Sequence, residues 1–255
     1  MIVCKSPAEL ELMFQASQLV AQVLESVKSL MVPGATTVDI DREAERLVRA
    51  AGAVPAFKGY RGFPATICAS VNDTVIHGIP SSARKLREGD ILSVDMGVRL
   101  NGFYGDSAVT HGIGTIDPEA ARLLDVTQQS LEKAIAVVKP GARVSDIGHA
   151  VQKFVESHGY SVVREFVGHG IGAQLHEEPQ IPNYGAPGRG PRLAEGMVLA
   201  IEPMVTAGRP QVRVLADGWT AVTVDGSLAA HFEHTVAVTD TGSWVLTALP
   251  ARQAA

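Results

Sequence analysis

The chain has 255 residues, 46% hydrophobic and 19% charged, which supports a sizeable core in one large domain or two small ones and excludes a disordered chain. A formal net charge of −5 argues against a general attraction to nucleic acid or anionic membrane. Cys4 and Cys68 sit in no paired spacing, no apolar run approaches the roughly 20 residues that span a bilayer, and the N-terminus lacks a basic-then-apolar leader. A disulfide framework, a Cys-based zinc site and a membrane span are thus not expected, and a reducing, cytoplasmic compartment fits.

Taken in chain order, Ser6-Pro7-Ala8-Glu9 is a capping box with proline at the first helical position, opening an amphipathic helix to about Leu30. A second helix is predicted from about Val38 to Ala51. Strand-like stretches follow at 65–70, 90–98 and 102–110, with Asn101-Gly102 between the last two as a tight-hairpin signal. Asp117-Pro118-Glu119 opens a helix to about Val138, and Ser145-Asp146 opens another to about Ser157. Residues 183–192 read as a Gly/Pro loop, and strands are predicted at 197–205, 212–216, 220–224 and 234–239. Helices and antiparallel strands segregated in this way indicate an α+β fold.

The chain also repeats itself. Met31 to Gly52 resembles Val138 to Gly159 at a constant offset of 107 residues, as between Pro33 and Pro140, Asp39 and Asp146, or Val48 and Val155. The same offset aligns LREGDILSVD, ending at Asp95, with LAEGMVLAIE, ending at Glu202. Three gapless blocks at one offset point to an ancient duplication, with pseudo-repeats of about 8–118 and 119–249 inside one catalytic domain, 1–250, and a short tail, 251–255. The period is too long for a solenoid repeat and favours two similar halves about a pseudo-twofold axis.

The hairpin carries the first chemical signal. If Asn101-Gly102 sets the register, Asp95 opposes Ala108 and Asp106 opposes Gly97, so both carboxylates share a face as diagonal neighbours roughly 7–8 Å apart. Two buried unpaired aspartates would cost several kcal/mol each unless neutralised. An exposed hairpin edge is the alternative for Asp95, and a bulge near Tyr104-Gly105 would change the register. Glu202 lies in the apolar run VLAIEPMV and Glu233 opens HTVAV; neither run holds an arginine to pair with it. His169 stands between glycines in VGHGIG, with little bulk to shield its imidazole. A lone histidine is more often structural, but one beside four carboxylates is a candidate ligand. Four carboxylates balance two divalent cations, and oxygen-rich coordination with one imidazole suits Mn, Fe or Co and admits Zn. GHGIG lacks the glycine spacing and the lysine of a phosphate loop.

In order and spacing, HGIP, SVDMG, GDSA, GHGIG, HEEPQ, IEPM and FEHT resemble the type I methionine aminopeptidases, which have the pita-bread fold; the likeness runs from about Ser6 to Leu246. The resemblance implies two divalent metal ions on Asp95, Asp106, His169, Glu202 and Glu233, with Asp106 and Glu233 bridging. It implies that His77 and His176 contact substrate and assist the tetrahedral intermediate, and that Glu202 is the proposed general base. Around the substrate methionine it points to Phe57, Tyr60, Phe63, Cys68, Leu175 and Trp219, an apolar and aromatic set suited to a thioether. Trp219 follows Asp217-Gly218, so a turn would present it at a rim. The implied substrate is a nascent polypeptide with N-terminal methionine and a small second residue. A ribosome is a possible further partner, and the chain is expected to act as a monomer.

Three positions depart from commoner bacterial members: Phe57 replaces a smaller residue, Leu175 stands where an aromatic is frequent, and His231 stands where glutamine is common. His231 shares a strand face with Glu233 and is a candidate hydrogen-bond partner for the site. Local alternatives stand beside the two implied substrate histidines: His77 as a cap before Pro80, His176 paired with Glu177 or Glu178. Prolidase and aminopeptidase P share the ligand set but carry an additional N-terminal domain, whereas here the first half begins almost at residue 1. Type II methionine aminopeptidases insert a helical segment between the histidine and the next glutamate, and only 32 residues lie between His169 and Glu202. A non-catalytic binding module on the same fold would be expected to have lost ligands.

Overall fold

The computed structural model describes residues 1–250; the tail expected at 251–255 lies outside the described residues. Helix α1 (Pro7–Val27) starts at the predicted capping box: Ser6 Oγ accepts from the Glu9 amide and the Glu9 carboxylate accepts from the Ser6 amide at 2.8 Å. It passes into a 3-10 turn at Lys28–Leu30, so the expected end at Leu30 includes that turn. Helix α2 (Thr37–Ala50) is capped by Thr36 and Asp39. Helix α3 (Pro118–Ala136) is capped by the Asp117 carboxylate, and α4 (Val144–Ser157) follows. The cap of α4 is Arg143, not Ser145-Asp146: Asp146 acts from the third helical position, accepting from the Arg143 amide at 2.7 Å.

The offset of 107 residues recurs in the contacts. α2 and α4 begin at Thr37 and Val144, and the isolated bridges Thr36–Lys85 and Arg143–Arg192 lie at the same offset. The Gly34 amide donates to the Leu86 carbonyl at 2.8 Å, and the Gly141 amide to the Leu193 carbonyl at 2.9 Å. Two large cores correspond position by position. Leu24, Ile40, Val48 and Leu86 are buried with α1 and α2, and Leu131, Ile147, Val155 and Leu193 with α3 and α4. Each core forms because the helices present apolar residues at three- and four-residue intervals to a sheet.

All strand pairs among the described residues are antiparallel. One sheet holds β1 (Val54–Pro55), β2 (Ile67–Val71), β4 (Ile91–Leu100) and β5 (Phe103–Gly112). A second joins β3 (Thr74–Ile76) to β12 (Ala221–Thr223) and β11 (Val212–Val214). A third pairs β6 (Ser161–Val162), β10 (Met204–Thr206) and β13 (Ala229–His231). The largest runs β15 (Ser243–Val245), β14 (His234–Val238), β9 (Val198–Ile201), β7 (Gly168–Gly170) and β8 (Glu177–Ile181). The fold is mixed α+β, as the element pattern indicates.

The β4–β5 register is unbroken from Ile91–Gly112 to Leu100–Phe103, with Asp95 opposite Ala108 and Gly97 opposite Asp106, so no bulge intervenes at Tyr104-Gly105. Two expectations change. The apolar run 197–205 is not one strand: it breaks at Glu202-Pro203, and its halves join different sheets. Proline has no amide to continue a ladder, so the chain leaves one sheet for the next there. Glu233 does not open a strand either; it sits between β13 and β14, its amide donating to the Ala108 carbonyl at 2.9 Å.

Candidate metal centre and substrate pocket

Both glutamates therefore lie where the chain crosses between sheets, and both project toward the hairpin face that bears the aspartates. Asp95, Asp106, His169, Glu202 and Glu233 all line one cavity. Ligand-type atoms of Asp106, His169 and Glu233 lie within 4.8 Å of one another. Asp106 and Glu233 are almost fully buried, and Glu202 keeps 13% of its side-chain surface exposed.

The electrostatics of this group follow from crowding. Burial raises all four carboxylates well above the usual range, and each also feels a neighbour: Asp95 feels Glu202, Asp106 feels Asp95, and Glu233 feels Asp106, Glu202 and Asp95. A hydrogen bond from the Cys68 thiol offsets part of the effect at Asp95. Asp95 Oδ1, Asp106 Oδ1 and Glu233 Oε1 are buried without a hydrogen-bond partner. Such oxygens are costly unless a cation takes them. Oxygen-rich donors with one imidazole fit a divalent transition metal.

His169 completes the set through its tautomer. Its Nδ1–H donates to the Gly170 carbonyl at 2.9 Å, which leaves the Nε2 lone pair facing the cluster, 3.6 Å from Glu202 Oε1. Burial, with His176 adding to it, holds the ring's pKa down at about 3, so it is neutral at pH 7. The flanking glycines do more than leave the imidazole open. A Cβ on Gly168 would collide with the Ala200 carbonyl and one on Gly170 with the Glu178 carbonyl, because neighbouring strands close on both sides.

The remaining predicted residues line the same cavity: His77, His176, Phe57, Tyr60, Phe63, Cys68, Leu175 and Trp219. Phe63, Cys68, Phe57 and Trp219 pack as one apolar wall, with Trp219 edge-on to Phe63 at 5.2 Å. The turn expected before Trp219 is present, the Asp217 carboxylate accepting from the Trp219 and Thr220 amides at 2.9 Å. Leu175 belongs to a different cluster, with Met13, Ile171 and Val198. Phe57 fits because position 97 is glycine: a Cβ there would lie 3.1 Å from Phe57 Cε1. His77 has a left-handed φ of 58°, and its pKa is lowered to about 4 by burial and by His176. His176 pairs with neither Glu177 nor Glu178; its Nδ1 lies 2.9 Å from Tyr60 Oη.

Some of this has no signature in the sequence. Arg61 lines the cavity. His231, at the end of the strand before Glu233, has its Nε2 3.6 Å from Glu202 Oε2 and without a hydrogen-bond partner, so the hydrogen bond expected of it is not formed to either glutamate. Lys5 pairs with Glu177 across the fold. Only His231 carried a signal, as an unusual residue two positions from a candidate ligand.

A buried carboxylate cluster with one neutral imidazole at the floor of an apolar cavity defines a metallohydrolase site, and the chain belongs to metallopeptidase family M24, which it matches over residues 11–240. The family implies divalent metal cofactors. Within it, the chain is 54% identical to methionine aminopeptidase 1 of Bacillus subtilis over 247 residues, covering 97% of this chain and 99% of that one. It superposes on the methionine aminopeptidase of Thermotoga maritima with a TM-score of 0.96 at 49% identity, covering 97% and 99% of the two chains. A prolidase from Pyrococcus furiosus shares the fold at 21% identity and TM-score 0.79, with 66% of that chain covered. The pita-bread fold expected from the motifs is that of these enzymes. Among the described residues, no helix is long and apolar enough to cross a membrane.

Proposed function

We propose that this protein removes the N-terminal methionine from nascent proteins and peptides with a small second residue, using two divalent ions held by Asp95, Asp106, His169, Glu202 and Glu233. The observation that carries the reading is the set of partnerless buried oxygens on Asp95, Asp106 and Glu233 at the foot of a pocket walled by Phe57, Phe63 and Trp219. Asp106 and Glu233 would be shared between the two ions. Bound there, the ions would supply Lewis acidity and a water of lowered pKa.

The protein groups do the rest. The apolar wall takes the unbranched thioether side chain, and Tyr60, Leu175 and Cys68 close around it. Glu202, the most open of the carboxylates, is placed to accept the proton of the attacking water. His77 and His176, neutral at pH 7, donate ring N–H groups to the carbonyl oxygen as it gains charge. Mn, Fe, Co and Zn all suit the donor set. Free thiols at Cys4 and Cys68 fit action in the cytoplasm; action on chains leaving the ribosome, as a monomer, is part of the same proposal and rests on the family resemblance. The test is release of free methionine from Met-Ala and Met-Gly peptides after EDTA treatment and addition of Mn(II), Fe(II) or Co(II). Turnover restored by metal is expected; no turnover with any metal, or equal cleavage of Pro-containing dipeptides, contradicts the assignment.

A further inference from the structure

Tyr60 has a second role beyond walling the pocket. It opens a one-turn 3-10 segment, Tyr60–Gly62, closed by hydrogen bonds from the Tyr60 amide to the Phe57 carbonyl at 2.9 Å and from the Phe63 amide to the Tyr60 carbonyl at 2.9 Å. Inside it Arg61 takes φ 48°, ψ 24°, a conformation non-glycine residues rarely hold. This tight loop lays the phenol ring on His176, centroids 5.3 Å apart and planes 26° from parallel, with Oη 2.9 Å from Nδ1.

A neutral imidazole carries one N–H and one lone pair, so this bond decides which nitrogen faces the reaction. A phenol oxygen shares its lone pair with its own ring, which makes it a good donor and a poor acceptor, whereas an unprotonated imidazole nitrogen accepts well. The Arg61 guanidinium, 5.4 Å from the Tyr60 centroid, draws on the ring and strengthens the hydroxyl as a donor. Donation from Tyr60 to Nδ1 leaves the proton of His176 on Nε2. The neighbouring imidazole, His169, lies 4.2 Å away by ring centroids and is set the other way, its Nδ1–H spent on the Gly170 carbonyl.

We propose that Tyr60 is a positioning residue: its hydroxyl fixes the Nε2–H tautomer of His176, so that two adjacent imidazoles present opposite functions. His169 offers a lone pair to a cation, and His176 offers a proton to the developing oxyanion. The proposal rests on the reading of His176 given under the proposed function. It is tested in the metal-loaded enzyme with Tyr60→Phe, His176→Ala and the double variant on a Met-Ala-Ser peptide, together with 15N spectra of the histidine rings in the unaltered protein. Tyr60→Phe should lower kcat about tenfold with KM shifted less than about twofold, the effect of losing one oriented hydrogen bond rather than a pocket wall. The double variant should be no slower than His176→Ala, and the spectra should show Nε2–H at His176. A proton on Nδ1, an unchanged kcat in Tyr60→Phe, or effects that multiply in the double variant would overturn the proposal. A fully active His176→Ala would instead overturn the reading of His176 itself.

Discussion

Thr235 and Asp106 are bound to each other twice: the Asp106 amide donates to Thr235 Oγ1 at 3.2 Å, and the Thr235 hydroxyl donates to the Asp106 carbonyl at 2.7 Å. Beside them Ser107 Oγ donates to the Glu233 carbonyl at 2.6 Å. These bonds fasten β5 to β14 behind the carboxylates, so the two proposed bridging ligands are set by backbone anchored from opposite halves. Thr235→Val keeps the shape and strands a buried amide and carbonyl. It should destabilise the protein by about 1–3 kcal/mol, read as a lower urea midpoint, with Thr235→Ser nearly neutral. An unchanged midpoint in the valine variant would contradict the anchoring role.

The Lys5 ammonium and the Glu177 carboxylate lie 2.5 Å apart with only 4% and 12% of their side chains exposed. Lys5 is held by its amide to the Gly196 carbonyl, and Glu177 accepts from the Gln174 amide, so the pair pins the loop that carries Leu175 and His176. Lys5→Met leaves a buried carboxylate alone and should cost about 3–5 kcal/mol, while Lys5→Met with Glu177→Leu should recover most of it. Chemical denaturation of the three proteins checks this; a single variant as stable as the double would refute it.

Metal binding and pH are linked through the raised carboxylates. Burial, and then their mutual repulsion, makes Asp95, Asp106, Glu202 and Glu233 hold protons in the folded metal-free protein at pH values where the unfolded chain is ionised. The folded state then binds more protons, so metal-free stability falls as pH rises through that range. A cation requires the ionised forms, so its binding releases protons and tightens with pH. The gain in melting temperature on adding Mn(II) should therefore be larger at about pH 7.5 than at about pH 5.5. Calorimetry in two buffers of different ionisation enthalpy should show proton release; none would contradict the linkage.

Gly168 and Gly170 hold His169 in a strand with neighbouring carbonyls against both glycine faces. Gly170→Ala should force the strands apart, cost more than about 2 kcal/mol, and lower the metal retained after dialysis. Metal content equal to the parent protein would show that the strand tolerates a side chain.

What could be read in advance followed local rules. Hairpin parity placed Asp95 opposite Ala108 and Asp106 opposite Gly97 because a two-residue turn fixes register and strand side chains alternate. Caps at Ser6 and Asp117 marked helix starts for similar reasons, whereas the Thr36 cap of α2 went unread and that helix begins one residue before the expected Val38. The break at Glu202-Pro203 was hidden because both flanks are apolar and a change of sheet leaves no change in hydrophobicity. The glycines around His169 were legible as small but not as clearance for Ala200 and Glu178, which is set by strand neighbours. The contacts of Lys5 with Glu177, Tyr60 with His176 and His231 with Glu202 join distant segments, and nothing in either local sequence names the partner. The five proposed ligands were therefore readable in part from register and repeat, while the supporting contacts required the fold.

The most direct test of the account titrates metal-stripped protein with Mn(II) while following methionine release from a Met-Ala-Ser peptide, in parallel with Asp106→Asn. Activity should rise with bound metal in the parent protein and stay absent in the variant, whose circular dichroism should remain that of a folded chain. Methionine release without metal, or restored to the parent level in a folded Asp106→Asn protein, would contradict the account.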